Sequence, residues 1–455
     1  MEHITRPRVV IAGTNSGVGK TTIVTGLLAY FHSKGYQVQP FKVGPDYIDP
    51  GFHAKAAGRD SYNLDTWMTP ADRLVPTFSS LSDGADISII EGVMGLYDGG
   101  ANGVSSTADI AKKLKAPVIL VLDCKSVGYS IAATALGFRE YDKDVHIAGV
   151  ILNRLGSDRH EAMVREVMEK IHMPVIGAFH RDDDLKTPER HLGLTPVTEI
   201  ETQQLISHMG EAAGKWVDTE ALLTIAQNAP ALDVPEETNL GEKQNVRIGV
   251  ARDEAFSFYY PASLEALERR GATLVDFSPL KDQEIPDVDG LIFGGGFPEM
   301  FLHELENNTS MKASIQKAAK DGMPIYAECG GLMYLCEKIQ GFDEETYDMV
   351  GLVPGTCVMQ KKLQRVGYVT GTALRDSIIA KQGDTLKGHE FHFSTLECGD
   401  DFPWAYTLQG TRQKTGHIEG YAKDNVLASY LHLSFDGNPC AADCFMRKIA
   451  EYKKS

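Results

Sequence analysis

The chain has 455 residues, 43% hydrophobic and 24% charged, which suits a soluble globular protein of two or three domains and excludes a disordered, collagen-like or disulfide-scaffold one. Its net charge of −17 excludes general binding to nucleic acid or to a membrane surface, since both need a positive footprint. Seven cysteines at irregular spacing make no framework, Cys440 and Cys444 lack the second pair a zinc site needs, no membrane-length apolar run occurs, and MEHITRPRVVIAG has no secretory pattern, so a reducing, cytoplasmic setting is expected.

From Arg8 onward, short β-rich runs alternate with helical patterns. The first strand, Val9–Ala12, runs into Thr14-Asn15-Ser16-Gly17-Val18-Gly19-Lys20-Thr21-Thr22 and a helix over Lys20–Ser33 that Gly35 ends. Glycines let successive N–H groups turn onto phosphate oxygens, Lys20 reaches the terminal phosphates, and Thr21 offers its hydroxyl to Mg2+. Thr14 stands where the usual G-x4-G-K-[ST] spacing asks for glycine, and Gly13 comes one residue early. Strand, loop, Lys-Thr and helix still follow in order, so a nucleotide site is expected here.

Further strands are expected at Val38–Val43, Ile87–Ile90, Val118–Asp123, Ile147–Leu152 and Val175–Ala178, the rhythm of a parallel sheet covered on both faces. Two of them end in acids. KVGPDYIDP offers Lys42, Asp46 and Asp49, and DISIIEG ends with Glu91 at the strand's carboxyl edge. Thr21, Asp46 and Glu91 are therefore the expected Mg2+-linked oxygens. Asp98, in GVMGLYDGG, is weaker on spacing alone.

The periodicity stops in AQNAPALDVPEETNLGEKQN, which reads as a linker over 229–245 between domains at 1–228 and 246–455. A second alternating series follows at Val246–Ala251, Leu274–Phe277, Leu291–Phe293 and Ile325–Ala327, with shorter, mixed or antiparallel strands beyond Met349. PIYAECGGLMYL places Cys329 on a sharp strand-to-helix turn, where a nucleophile is exposed and a helix N-terminus favours thiolate. LIFGGGFPE supplies a glycine turn, Gly294 to Gly296, as a source of oxyanion donors, and His432 in SYLHLSF is the candidate base. Cys336, Cys357 and Cys398 have no elbow context and read as structural. A cysteine–histidine site acts on an amide or ester carbonyl; by itself it does not say which.

GTNSGVGKTT, KVGPDYIDPGFH, NLDTWM, EGVMGLYDG, GVILNR, GGGFPE, AECGGLMYL, GHEFHFS and SYLHLSF occur in this order over nearly the whole chain. With these motifs the chain resembles the triad-type (class I) glutamine amidotransferases fused to a dethiobiotin-synthetase-like ATPase, and within them the cobyrinic acid a,c-diamide synthases of the cobalamin pathway. The resemblance implies an α/β protein with an N-terminal P-loop parallel sheet and a C-terminal class I glutaminase domain. It also implies that Cys329 attacks the glutamine amide with His432 assisting, while Gly295 and Gly330 N–H groups hold the oxyanion. Gly17, Gly19, Lys20, Thr21 and Thr22 would hold MgATP and Asn153 the adenine. Lys42, Asp46, Tyr47, Asp49 and Asp98 match the loops around the corrinoid carboxylate, which is activated as an acyl phosphate and amidated at a and c in turn.

Ser434 stands where triad enzymes carry a glutamate, so Glu328 or a backbone carbonyl is left to orient His432. His389 and His392, three apart, are no zinc motif, and the resemblance puts them at the domain interface or the corrinoid pocket. An acidic corrinoid needs local cations on a −17 chain, and Lys42, Arg154, Lys361, Lys362 and Arg365 are the candidates. Nickel-sirohydrochlorin and hydrogenobyrinic acid remain open as substrates. A regulatory P-loop ATPase with a degenerate glutaminase domain is the competing class, against which the intact Cys329–His432 pair stands; a plain cysteine hydrolase sits badly with the nucleotide domain. The partners implied are small molecules, and a homodimer is compatible with the sequence.

Overall fold

The computed structural model describes residues 2–182, 199–235, 243–411 and 415–455. The chain divides into two compact units, Met1–Thr66 with Pro70–Glu237 and Trp67–Thr69 with Thr238–Ser455.

The first unit is built on a seven-stranded sheet ordered Tyr62–Leu64, Val38–Val43, Ile87–Glu91, Arg8–Gly13, Val118–Asp123, Ile147–Leu155, Val175–His180. Every pairing in it is parallel. The strands are near-continuous apolar runs because both faces are covered. Alternation divides their side chains: Val9, Ile11, Ile119 and Val121 enter one core, while Val10, Ala12, Leu120 and Leu122 enter the other. The helix Lys20–Ser33 buries Ile23, Val24, Leu27, Leu28 and Phe31 on its sheet side. It packs closely on the helix Glu199–Trp216, where a Cβ on Gly26 would strike the Met209 carbonyl.

Three short strands of this unit escape the sequence reading: Glu2–Ile4, Tyr62–Leu64 and Leu232–Val234. Leu232–Val234, inside the segment read as linker, pairs antiparallel with Glu2–Ile4. Three residues are too few to show a period. The part of that segment at 236–242 lies outside the described residues.

The second unit holds a ten-stranded sheet whose two halves differ. Ala272–Phe277, Val246–Ala251, Gly290–Phe293, Ile325–Glu328 and Val426–Ser429 are parallel neighbours. His417–Lys423, Trp404–Gly410, Arg365–Ala373, Thr385–His392 and His432–Leu433 then continue it antiparallel. The helix Pro439–Lys454 closes one face with Ala442, Phe445 and Ile449, and Phe445 stacks on Phe435 at 5.7 Å.

Arg8 opens the central strand of the first sheet and is fully buried. Its guanidinium donates only to carbonyls: Leu114 at 2.6 Å, Arg6 at 2.8 Å, Pro230 at 2.5 Å and Lys115 at 3.3 Å. It thereby ties the sheet to the end of the unit at Pro230. Arg8→Met fills the space yet leaves those carbonyls unpaired, and should destabilise the first unit by about 3 kcal/mol in chemical denaturation.

Candidate active site

In the first unit the loop after Arg8–Gly13 turns on positive φ at Gly17 (79°) and Gly19 (100°). Gly19 has a second constraint, since a Cβ there would collide with the Asn153 amide. That amide donates to the Val18 carbonyl at 2.7 Å, so Asn153 braces the loop. Arg154, with φ of 61°, bridges Asp123 at 2.6 Å and the Gly17 carbonyl at 2.6 Å. Lys20 is buried and donates to the Asn15 carbonyl at 3.1 Å and to that of Met94 at 2.7 Å. Burial, with Lys42 adding to it against Glu91, pulls its pKa down to about 8. Thr22 lies in the helix's first turn.

Beside this loop lies a buried charge cluster. Lys42 contacts Asp49 at 2.7 Å, Glu91 at 2.8 Å and Asp46 at 3.9 Å. Thr21 donates to Glu91 at 2.7 Å and to Asp49 at 3.3 Å. Burial alone would neutralise Glu91, but Lys42 and His53, the latter 2.6 Å away, hold it well below the usual carboxylate range. Asp49 goes the other way: burial and the neighbouring Glu91 and Asp46 raise it to about 6. Burial lowers Lys42 and the three acids more than reverse this.

Asp46 has a second task, accepting from the Ile48 N–H at 2.8 Å and the Asp49 N–H at 3.2 Å. It thus shapes the loop that carries Tyr47 and Asp49. Asn63 pins the same loop through the Gly44 and Asp46 carbonyls, both at 2.8 Å. Asp98 is exposed and accepts from the Gly95 N–H at 3.0 Å. The Thr21 hydroxyl and the Glu91 and Asp49 carboxylates are hard oxygen donors that suit Mg2+, an ion that keeps several waters and phosphate oxygens as ligands and needs no full protein cage. Among the described residues no group of three or more His, Cys, Asp or Glu side chains is placed to hold a metal ion.

In the second unit the strand Ile325–Glu328 ends at Cys329, held at φ 47° and ψ −100°. This is a strained elbow for a non-glycine residue. It is clamped by the Cys329 N–H donating to the Ser429 carbonyl at 2.8 Å, while the Cys329 Sγ lies 3.8 Å from the Phe391 carbonyl. The following helix, Gly330–Leu335, is only six residues long. Burial, then Glu299, push the thiol up, opposite to the thiolate that the sequence pattern suggests, so deprotonation depends on a base.

The candidate base is His432. A Cβ on Gly295 would lie 3.0 Å from its Cε1, which puts the glycine turn against the ring. Its Nδ1 is 3.3 Å from Glu328 Oε2. Glu328 is fixed in turn by the Tyr326 hydroxyl at 2.5 Å and the Leu433 N–H at 3.2 Å. Of the two ways to orient His432 that the sequence leaves open, the structure has the Glu328 carboxylate in contact with the ring. Ser434 instead engages Asn438 through its carbonyl.

His389 stacks on His432 with centroids 4.8 Å apart and contacts the Tyr260 hydroxyl at 2.7 Å. His392 stacks on Tyr430 at 3.8 Å. Both histidines are buried. Lys361 and Lys362 are exposed and Arg365 is half-buried.

Comparison with known proteins agrees with this division. Residues 9–194 match the CobQ/CobB/MinD/ParA nucleotide binding domain, and residues 247–440 the CobB/CobQ-like glutamine amidotransferase domain. The cobyrinate a,c-diamide synthase of Dehalococcoides mccartyi (strain CBDB1) is 46% identical, over 97% of this chain and 98% of its own. The chain belongs to the cobyrinate a,c-diamide synthase family. Other family members of that name include one from Caldanaerobacter subterraneus subsp. tengcongensis, 44% identical over 93% of this chain and 94% of its own. Another, from Methanosarcina acetivorans, is 44% identical over 94% and 92%. This synthase-family chain thus joins a nucleotide-binding domain to a glutamine amidotransferase domain, the two parts that a glutamine-dependent ligase requires.

Residues that the sequence reading passed over are the second contacts: His53 on Glu91, Asp123 on Arg154, and Tyr260 on the His389 ring that stacks against His432. None has a spacing signal, although His53 stands inside the GFH end of a motif. For Glu328, Glu328→Gln keeps shape and removes charge. Glutamate release from glutamine should fall about 10²- to 10⁴-fold in kcat with little change in KM. A loss below about threefold would mean that His432 is oriented without the carboxylate.

Proposed function

We propose that the protein converts the a- and c-acetate carboxylates of cobyrinic acid to amides, using glutamine as nitrogen donor and MgATP to activate each acid. The observation that carries this reading is the nucleophile elbow with its base: Cys329 keeps His432, and His432 keeps a carboxylate 3.3 Å behind it. A domain retained only for binding would have no reason to hold a buried acid–histidine pair beside a cysteine, because an unneeded buried charge costs stability.

In this reading Cys329 gives its proton to His432 and attacks the glutamine side-chain carbonyl. The tetrahedral oxyanion is held by the Gly295 and Gly330 N–H groups. His432 returns the proton to the departing nitrogen, which leaves as ammonia, and water then cleaves the glutamyl thioester to glutamate. In the first unit the glycine loop and Lys20 take the phosphates, Thr22 supports them, and Asn153 receives the adenine. Thr21, Glu91 and an aspartate of the GPDYIDP loop hold Mg2+, which when bound offsets phosphate charge during transfer. Asp49 supports this role by its contact with the Thr21 hydroxyl, and Asp46 by shaping the loop. The corrinoid acid binds near Lys42, Tyr47, Asp49 and Asp98. Phosphorylation comes first because hydroxide is too poor a leaving group for ammonia to displace; the acyl phosphate then yields amide and phosphate.

No helix among the described residues is long and apolar enough to cross a membrane, and all seven cysteines are free. A cytoplasmic enzyme working on small molecules, as a monomer or homodimer, fits these features.

Mass spectrometry after incubation with cobyrinic acid, glutamine and MgATP tests the reaction. A diamide is expected, with two glutamines and two ATP consumed per product; glutamine hydrolysis without any diamide would move the substrate to another carboxylated tetrapyrrole. Two variants separate the halves. Cys329→Ala should abolish glutamine use yet amidate with ammonium salts, whereas Lys20→Ala should amidate from neither nitrogen source. Loss of both activities in Cys329→Ala would overturn the division of labour.

A further inference from the structure

Glu328 accounts for one of the two carboxylates that act on Cys329; Glu299 is the other, and nothing in the mechanism above uses it. It lies in the short turn Pro298–Met300, directly after the glycine pair Gly295–Gly296. That turn rests on the elbow: a Cβ at Gly330 would come within 3.0 Å of Pro298 Cδ and 3.1 Å of the Gly296 nitrogen. Glu299 is half-buried, and burial raises its pKa to about 7, opposed only by its own backbone N–H. No lysine, arginine or histidine among the described residues pairs with it. The contrast with Glu328 is sharp, since that acid has Tyr326, Leu433 and His432 around it.

This arrangement works against the chemistry of the empty site. After burial, Glu299 is the strongest influence keeping the Cys329 thiol protonated, and a thiol is the unreactive form. A half-buried acid without a cation, next to a cysteine that must ionise, makes physical sense when the substrate brings the missing charge. Glutamine does so, because its α-amino group is an ammonium at neutral pH. Resting on the glutaminase reading above, we propose that Glu299 receives the α-ammonium group of glutamine and selects for it. The ion pair keeps Glu299 as carboxylate, with any proton it carried passing to water. It also cancels the negative charge facing Cys329, so the thiol proton can move to His432 once glutamine is seated. An empty site keeps its cysteine protonated and guarded from alkylation and oxidation.

The test compares the full-length protein with Glu299→Gln and Glu299→Asp on two amides, glutamine and glutaramate, which is glutamine without the amino group. Wild type should prefer glutamine. In Glu299→Gln, KM for glutamine should rise about tenfold or more, the size of one lost charge-assisted hydrogen bond, and the preference over glutaramate should fall by the same factor. Glu299→Asp, which keeps the charge, should retain part of the preference, and Cys329 in Glu299→Gln should react faster with iodoacetamide in the absence of glutamine. Equal turnover of both amides by wild type would overturn the inference whatever the variants do. So would a Gln variant whose KM and preference stay within about twofold, or one whose kcat falls equally for both amides, the mark of a proton relay. A wild-type protein that consumes no glutamine would instead overturn the glutaminase reading, and this inference with it.

Discussion

A parallel strand buried on both faces has no room for polar chemistry along its length, so whatever the chain does chemically it must do where the strand ends. Both units obey this constraint. In the first, the strands ending at Gly13, Val43, Glu91, Asp123 and Leu155 lie side by side, and their ends carry the glycine loop, the GPDYIDP loop, the buried acid, and the Asp123–Arg154 and Asn153 braces. In the second, the adjacent strands ending at Phe293 and Glu328 deliver the glycine turn and Cys329 to the same edge. His432 comes from the far end of the chain, in a two-residue strand paired with Thr385–His392.

The two sites handle charge in opposite ways. Around Lys42 three acids, one of them fully buried, outnumber the lysine, and the cluster is tolerable because each group has a partner within hydrogen-bond reach. Such a cluster has positions to exchange: a cation or a phosphate group can replace contacts that are already made. Around Cys329, among the described residues, no lysine or arginine pairs with Glu328 or Glu299. Glu328 leans on His432, while Glu299 waits for a charge that the protein itself does not supply. A pre-balanced site suits a ligand that arrives with its own metal, and an unbalanced one suits a small zwitterion.

Backbone strain occurs at both sites. Among the non-glycine residues with positive φ are Met94, Arg154 and Cys329, at 48°, 61° and 47°. Each places a functional group: the Met94 carbonyl at Lys20, the Arg154 guanidinium at the phosphate loop, and the thiol 3.8 Å from the Phe391 carbonyl. Each is also held by a bond from a neighbouring element, such as the Ser429 carbonyl on the Cys329 N–H.

Much of this was open to reading in the amino-acid order. Apolar runs such as VVIA and VILVL announce parallel strands by composition alone, because double burial demands it, and a glycine loop or an elbow announces its site because few residues tolerate those backbone angles. Strand positions, the phosphate loop, Glu91, Cys329 and His432 are local properties of this kind. Pairings between distant segments are not. That Asp49 rather than Asp46 meets the Thr21 hydroxyl, that His53 backs Glu91, and that Glu328 contacts the His432 ring all depend on which strands lie side by side. Only packing decides that, since residues a hundred positions apart leave no spacing to read. The sequence by itself determined the kinds of domain and the candidates for nucleophile, base and phosphate loop; the tertiary structure decided which carboxylate lies against which partner.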